Sequence, residues 1–210
     1  RGSVNDDQHP VVPVATEATR MLRPGWDSSD RLWMVDRTAF GAVVSYVDAA
    51  AGSVPTAVDV RGVTGRQVKR FIISRDGTRL VAIVKGRDRD VLRVSRITHD
   101  STGKVIGATR SRSLPWSSGD TQRIKDIGWQ SPTLAGVLHL VTTRFPQVVS
   151  VSVDGAGPQA TVGQSERASQ LVASPDSQDP LYTWSPQQLF GLSSGAVDLP
   201  PGFTSVQYVG

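Results

Sequence analysis

The chain contains no cysteine, and lysine occurs only at positions 69, 85, 104 and 125. Without thiols there is no disulfide framework, no thiolate nucleophile and no Cys-ligated metal. No apolar run approaches the roughly 18 residues that a membrane-spanning helix needs. Histidine stands only at 9, 99 and 139, and no two of them have the spacing of a zinc site. No phosphate loop or dinucleotide fingerprint is present, because the glycines are scattered through turn-like stretches. The net charge of +4 and pI near 9.8 give a weak pull toward anions. The basic residues form no run, and the densest stretch, Arg87-Asp-Arg-Asp90, alternates in sign. Aromatic–basic platforms are missing, which speaks against nucleic acid as a partner. No signal peptide is visible, and the opening Arg1-Gly-Ser reads as the start of a piece of something longer.

What the chain does have is a repeat. Pro24-Gly-Trp-Asp-Ser-Ser-Asp-Arg-Leu-Trp-Met-Val-Asp36 is followed by Ile73-Ser-Arg-Asp-Gly-Thr-Arg-Leu-Val-Ala-Ile-Val84. Gly128-Trp-Gln-Ser-Pro-Thr-Leu-Ala-Gly-Val-Leu-His-Leu-Val141 and Ala173-Ser-Pro-Asp-Ser-Gln-Asp-Pro-Leu-Tyr-Thr-Trp184 repeat the scheme. Each is a small or aromatic residue, a polar turn and a hydrophobic run. A recurrence at roughly 45–55 residues fits propeller blades. Leu80–Val84 is apolar on both faces, and Val137–Val141 is too apart from His139. A half-buried strand would alternate, whereas blades stacked face to face cover both sides of their inner strands.

The expected fold is therefore all-β, a β-propeller of four-stranded antiparallel blades. Residues 1–10 are expected to be a frayed N-terminal segment and 11–210 the propeller. Four complete blades are expected at about 21–60, 69–114, 124–162 and 168–200, with terminal strands at 11–15 and 203–209 belonging to partial blades of a larger ring. One helical turn is expected in Gly163–Leu171.

Candidate contact residues are Trp26 and Trp129, which close the first strands of their blades, and Trp116, in a loop after Leu114-Pro. To these are added Arg87, Arg89 and His99 in loops. At Trp26 and Trp129 packing on the next blade is favoured over a ligand pocket, and Trp33 and Trp184 read as core. His139, between Leu138 and Leu140, reads as a buried histidine. Asp76-Gly77 reads as a hairpin turn. Asp27, Asp36, Asp48, Asp126 and Asp154 read as strand-end or turn acids. No catalytic residue, metal or cofactor is expected.

Leu22-Arg-Pro-Gly-Trp-Asp-Ser-Ser-Asp-Arg-Leu-Trp-Met-Val-Asp-Arg37 resembles the signature segment of the LpqB lipoproteins of actinobacteria. Phe71–Val84, Ile124-Lys-Asp-Ile-Gly-Trp129 and Leu171-Val-Ala-Ser-Pro175 are similar to later segments of that family, in order and spacing. The ending Tyr208-Val-Gly210 differs from it in having valine where proline is common. The resemblance implies a C-terminal propeller preceded, in the family, by a lipobox cysteine and a second domain. It further implies lipid anchoring on the outer face of the cytoplasmic membrane and contact with the extracellular part of the sensor kinase MtrB. Modulation of the MtrA–MtrB two-component system and of cell-envelope homeostasis would follow. On this reading the chain is a non-enzymatic protein-binding propeller. The alternatives are a carbohydrate-active enzyme with two facing acids and a cell-wall glycan binder stacking sugars on Trp26, Trp116 or Trp129.

Overall fold

The computed structural model describes residues 21–48, 54–115, 123–140, 146–155, 160–164, 168–173, 181–185, 188–191 and 195–198. These form strands and turns, with no helix among them. The strands fall into four antiparallel sheets in chain order. The first sheet holds β1 (Gly25–Trp26), β2 (Arg31–Thr38), β3 (Gly41–Asp48) and β4 (Thr56–Ala57). The second holds β5 (Val68–Ile73), β6 (Arg79–Lys85), β7 (Asp90–His99) and β8 (Val105–Ala108), with β9 (Arg112–Ser113) pairing further along β7. The third comprises β10 (Arg123–Ser131), β11 (Leu134–Leu140), β12 (Gln147–Ser152) and β13 (Ala160–Gln164). The fourth comprises β14 (Gln170–Ala173), β15 (Leu181–Ser185), β16 (Gln188–Gly191) and β17 (Gly195–Asp198). Apart from the β7–β9 pairing, neighbouring strands are consecutive in the chain, which is the up-and-down meander of a propeller blade.

The apolar run Leu80–Val84 shows how the sheets are assembled. Leu80, Ala82 and Val84 pack into one core with Trp33, Val35 and Val44 of the first sheet. Val81 and Ile83 point the other way, into a second core with Ile127, Ala135 and Val137 of the third sheet. Successive side chains of a strand leave on opposite faces, so β6 is sandwiched between two neighbours. In β11, Val137 faces the second sheet, while Leu138 packs with Leu171 of the fourth. The sheets are therefore stacked face to face around their first strands. β10 touches both β5 and β14, and β1 touches β5.

Trp33 anchors the first core. Its ring is fully buried against Tyr46, with ring centroids 5.3 Å apart, and its indole N–H has a partner described below. The expected outer strand at Val105–Ser113 is divided into β8 and β9 around Thr109–Ser111, because β7 turns from one partner to the next. The stretch Gly163–Leu171, where one helical turn is expected, is strand at its two described ends, Gln170 and Leu171 belonging to β14. Gly163 and Gln164 pair with Val148 and Gln147 as the outermost strand of their sheet, where a polar sequence is compatible with solvent on one edge. Residues 165–167 and the terminal strands expected at 11–15 and 203–209 lie outside the described residues.

The β2–β3 hairpin is held by its neighbour in chain order. Ala42 N–H donates to Arg66 O (2.8 Å), and Gly65 N–H donates to Ala42 O (2.9 Å). Gly41 has φ +113°, and a Cβ there would stand 2.3–2.7 Å from the backbone of Gly65. On the other side, Lys85 N–H donates to Gln67 O (2.8 Å). Residues 65–67 thus join the hairpin tip of the first sheet to the β6 end of the second.

Candidate functional site

In a stack of up-and-down sheets the connections alternate between two rims. The loops after β1, β5 and β7 (27–30, 74–78 and 100–104) share one rim. The hairpin tips after β2 and β6 (39–40 and 86–89) and the connection 58–67 share the other. The residues singled out from the sequence divide between these rims. Trp26, Trp129 and His99 end strands that run toward the first, and Arg87 and Arg89 sit on the second. Trp116 lies outside the described residues.

Between the rims, the first strands meet on one carboxylate. Asp126, in β10, has no solvent exposure. Its Oδ1 lies 3.2 Å from Arg70 Nε of β5, and its Oδ2 lies 3.5 Å from Arg23 Nη2, just before β1. Leu171 N–H of β14 donates to Oδ2 at 2.8 Å. Arg23 reaches the same strand, donating to Leu171 O (3.2 Å) and Gln170 Oε1 (3.3 Å). One acid and two guanidiniums thereby tie all four sheets together. Burial pushes the Asp126 carboxyl above the ordinary aspartate range, against the pull of Arg23, Arg70 and the Leu171 amide. Burial likewise lowers the Arg23 guanidinium from its usual value, with Asp126 opposing. The chemistry of this group is cohesive: Oδ2 accepts the Leu171 amide and Oδ1 faces the Arg70 guanidinium as an ion pair without a formed hydrogen bond.

The first rim is built on a second buried carboxylate. Asp27 Oδ1 accepts from the backbone N–H of Ser29 (2.9 Å) and of Arg31 (3.2 Å), and Oδ2 accepts from Trp33 Nε1 (2.9 Å). This fixes the β1–β2 turn to the core tryptophan. Arg31 pairs with Asp27 Oδ2 at 3.6 Å and donates to Gly103 O of the second sheet. Its Nη1 lies 3.2 Å from His99 Nε2. A guanidinium can only donate, so that ring nitrogen is the acceptor. Ser28 N–H completes the joint by donating to Arg75 O (2.6 Å). His99 is thus half-buried in a seam between blades. Trp129 packs on the core shared by the second and third sheets, as the packing alternative expected. Trp26 is half-buried opposite Leu32. Farther out, Arg79 joins the second and third sheets through Asp154 (3.3 Å) and Pro132 O (3.1 Å).

The second rim carries a different surface. Arg37, Thr38, Gly41, Ala42, Arg66, Gln67, Val68, Lys69 and Lys85 line a groove of about 280 Å³. Phe40 stands at its edge, 92% exposed on the β2–β3 tip. Lys69 Nζ is held by Asp90 at 2.6 Å. Arg66, Lys85, Arg87 and Arg89 are exposed. Sequence reading found Arg87 and Arg89 but missed Arg37, Phe40, Arg66 and Lys85, which come together only through the backbone bonds at 65–67. It also missed the joining role of Asp126, whose one sequence signal is an acid inside a strand, between Lys125 and Ile127.

Among the described residues, no group of three His, Asp or Glu side chains could hold a metal ion. Gly191-Leu-Ser-Ser-Gly195 has the spelling of a nucleophile elbow, which corrects the sequence reading that no such motif is present. Gly191 and Gly195, however, are paired partners of antiparallel β16 and β17. An elbow needs a strand-to-helix turn.

Comparison with solved structures returns propeller-like folds at low sequence identity. A chain of a nidogen/laminin complex aligns with TM-score 0.60 and 13% identity, covering 90% of this chain and 69% of that one. A TolB-like protein of Agrobacterium tumefaciens gives 0.60 and 14%, covering 87% and 62%. A gluconolactonase of Xanthomonas campestris gives 0.55 and 12%, covering 88% and 63%. At such identities the likeness is one of fold alone. Two curated relatives, each called lipoprotein LpqB, are 25% identical over 86% of this chain. They come from Streptomyces coelicolor and Streptomyces avermitilis, and the chain spans 29% and 30% of their lengths. The profile described as the lipoprotein LpqB beta-propeller domain matches residues 4–197; the chain belongs to that family.

Proposed function

We propose that this chain is the propeller of a membrane-anchored lipoprotein on the outer face of the cytoplasmic membrane, and that it acts there by holding a protein partner without catalysis. The observation that carries this reading is the fate of its buried acids. Asp27, Asp90 and Asp126 are each engaged by internal cations or amides that fasten turns and blades. A paired-carboxylate hydrolase needs two such groups facing a substrate. The effect of the network is a stiff scaffold with two loop-bearing rims. The names of the Streptomyces relatives support the lipid anchor.

The partner is the extracellular domain of the sensor kinase MtrB, and the consequence is modulation of the MtrA–MtrB system and of envelope homeostasis. This follows from the family resemblance. The first rim is the surface that suits such a contact, because its 27–30, 74–78 and 100–104 loops are fixed to each other before a partner arrives. Preorganisation of that kind lowers the entropic cost of association. The glycan-binding alternative needs two exposed tryptophans on one face; Trp26 and Trp129 are each half-buried, with Trp129 packed against the core.

Immobilised kinase outer domain should retain the purified chain. Lys104→Glu, an exposed change on the first rim, should weaken retention by about tenfold, within the range of single interface residues. Absence of retention would refute the partner, and an unaffected Lys104→Glu would refute the rim.

A further inference from the structure

We propose that the second rim docks on an anionic phospholipid surface, with Phe40 entering the interface and the surrounding cations lying on headgroup phosphates. The inference goes beyond the protein-binding role above and does not depend on it. Three observations converge. First, the segments 37–41, 66–69 and 85–90 contain six cationic side chains, Arg37, Arg66, Lys69, Lys85, Arg87 and Arg89, against two acids, Asp88 and Asp90. Asp90 is buried and already occupied by Lys69. This local excess of four positive charges is as large as the net charge of the entire chain. Second, these residues form one ledge, because Arg66 O and Gln67 O accept backbone bonds from Ala42 and Lys85 of adjacent sheets. Third, Phe40 is the most exposed large hydrophobic side chain among the described residues and stands at the tip of this ledge.

An aromatic ring on a turn that shares its rim with long cationic side chains is suited to a boundary that is apolar below and anionic above. The ring gains by leaving water. Lys and Arg lay their stems along the apolar layer while their charged ends meet phosphate. An acidic protein would satisfy the charges, but it gives no reason for an isolated ring at 92% exposure. The rim also faces away from the loops assigned to protein contact, so the two surfaces can be used at once.

Flotation with phosphatidylcholine vesicles, with and without phosphatidylglycerol, tests this on the full chain. Binding is expected only with phosphatidylglycerol and should fall as salt screens the charges. The double variant Arg66→Glu/Lys85→Glu should lower the partition coefficient by about a hundredfold. Phe40→Ala should lower it roughly tenfold, from the loss of buried ring area. Lys104→Glu, an exposed substitution on the opposite rim with the same change in charge per site, should leave it unchanged. The proposal is overturned by equal binding to neutral vesicles, by no binding, or by an equal loss with Lys104→Glu. Soluble polyglutamate bound as tightly as vesicles, with Phe40→Ala without effect, would likewise overturn it and assign the ledge to an acidic protein.

Discussion

Two glycines that face each other across the first two sheets provide a sharp test of the packing. Gly65 has φ +72°, and a Cβ added to it would meet nothing within 4 Å. Gly41 has φ +113°, beyond the left-handed well open to L-residues, and its Cβ would overlap the Gly65 carbonyl carbon, oxygen and Cα at 2.3–2.7 Å. Gly65→Ala should cost only the conformational penalty, about 1 kcal/mol. Gly41→Ala carries a larger penalty and forces the two backbones apart. The bonds from Ala42 N–H to Arg66 O and from Gly65 N–H to Ala42 O would then be lost at about 1 kcal/mol each. The total is about 3–4 kcal/mol, three or four times the cost at Gly65. With a urea m-value of about 3 kcal/mol/M for a chain of this size, the midpoint should fall by roughly 1 M for Gly41→Ala and roughly 0.3 M for Gly65→Ala. Equal shifts, or a larger one for Gly65→Ala, would refute the close approach.

Leu80→Ala and Ile83→Ala should each cost about 2–5 kcal/mol in urea titration. Because they enter different cores, their double variant should lose the sum to within about 0.5 kcal/mol. Alanine at Arg31 removes the bond to Gly103 and the pair with Asp27, so amide exchange should quicken at 100–104 more than at 86–89. A uniform increase would contradict the seam. His139, buried in β11, has its ring held below the ordinary histidine value by desolvation. The folded state therefore binds its proton less readily than the unfolded chain, and stability present above the unfolded value near 6.5 is lost as pH falls toward the folded one. Denaturation midpoints from pH 7 to 5 should decline less steeply in His139→Gln than in the wild type.

The four-stranded plan was legible because the physics that makes it is local. A run such as Leu80–Val84, apolar on both faces, has few homes outside a sheet covered twice. The turn at Asp76-Gly77 was legible for the same reason: Gly77 takes φ +69° beside the Asp76 carboxylate, which accepts from Thr78 N–H. Where the sequence reading went astray, the deciding partner was distant in sequence. Asp126 reads as a strand-end acid until Arg23 and Arg70 arrive from two other sheets. His99 reads as a loop residue until Arg31 crosses to it. In the stretch Gly163–Leu171, where a helical turn is expected, Gly163 and Gln164 instead find strand partners in Val148 and Gln147. The basic ledge escaped notice because its members at 37, 66 and 85 are separated by about one strand or more, and no run announces them.

The two-sided strands have a consequence for how such a molecule can change over time. β6 and β11 each owe one row of side chains to the sheet before and one to the sheet after, so interior substitutions must be negotiated with two neighbours at once. The solvent-facing side chains of the rims, such as Phe40 and Lys104, are released from that double constraint even where the rim backbone is bonded across sheets. Durability and recognition are thereby held in separate parts of every blade, and a new contact surface can be written on the tips while the oily interior stays as it is.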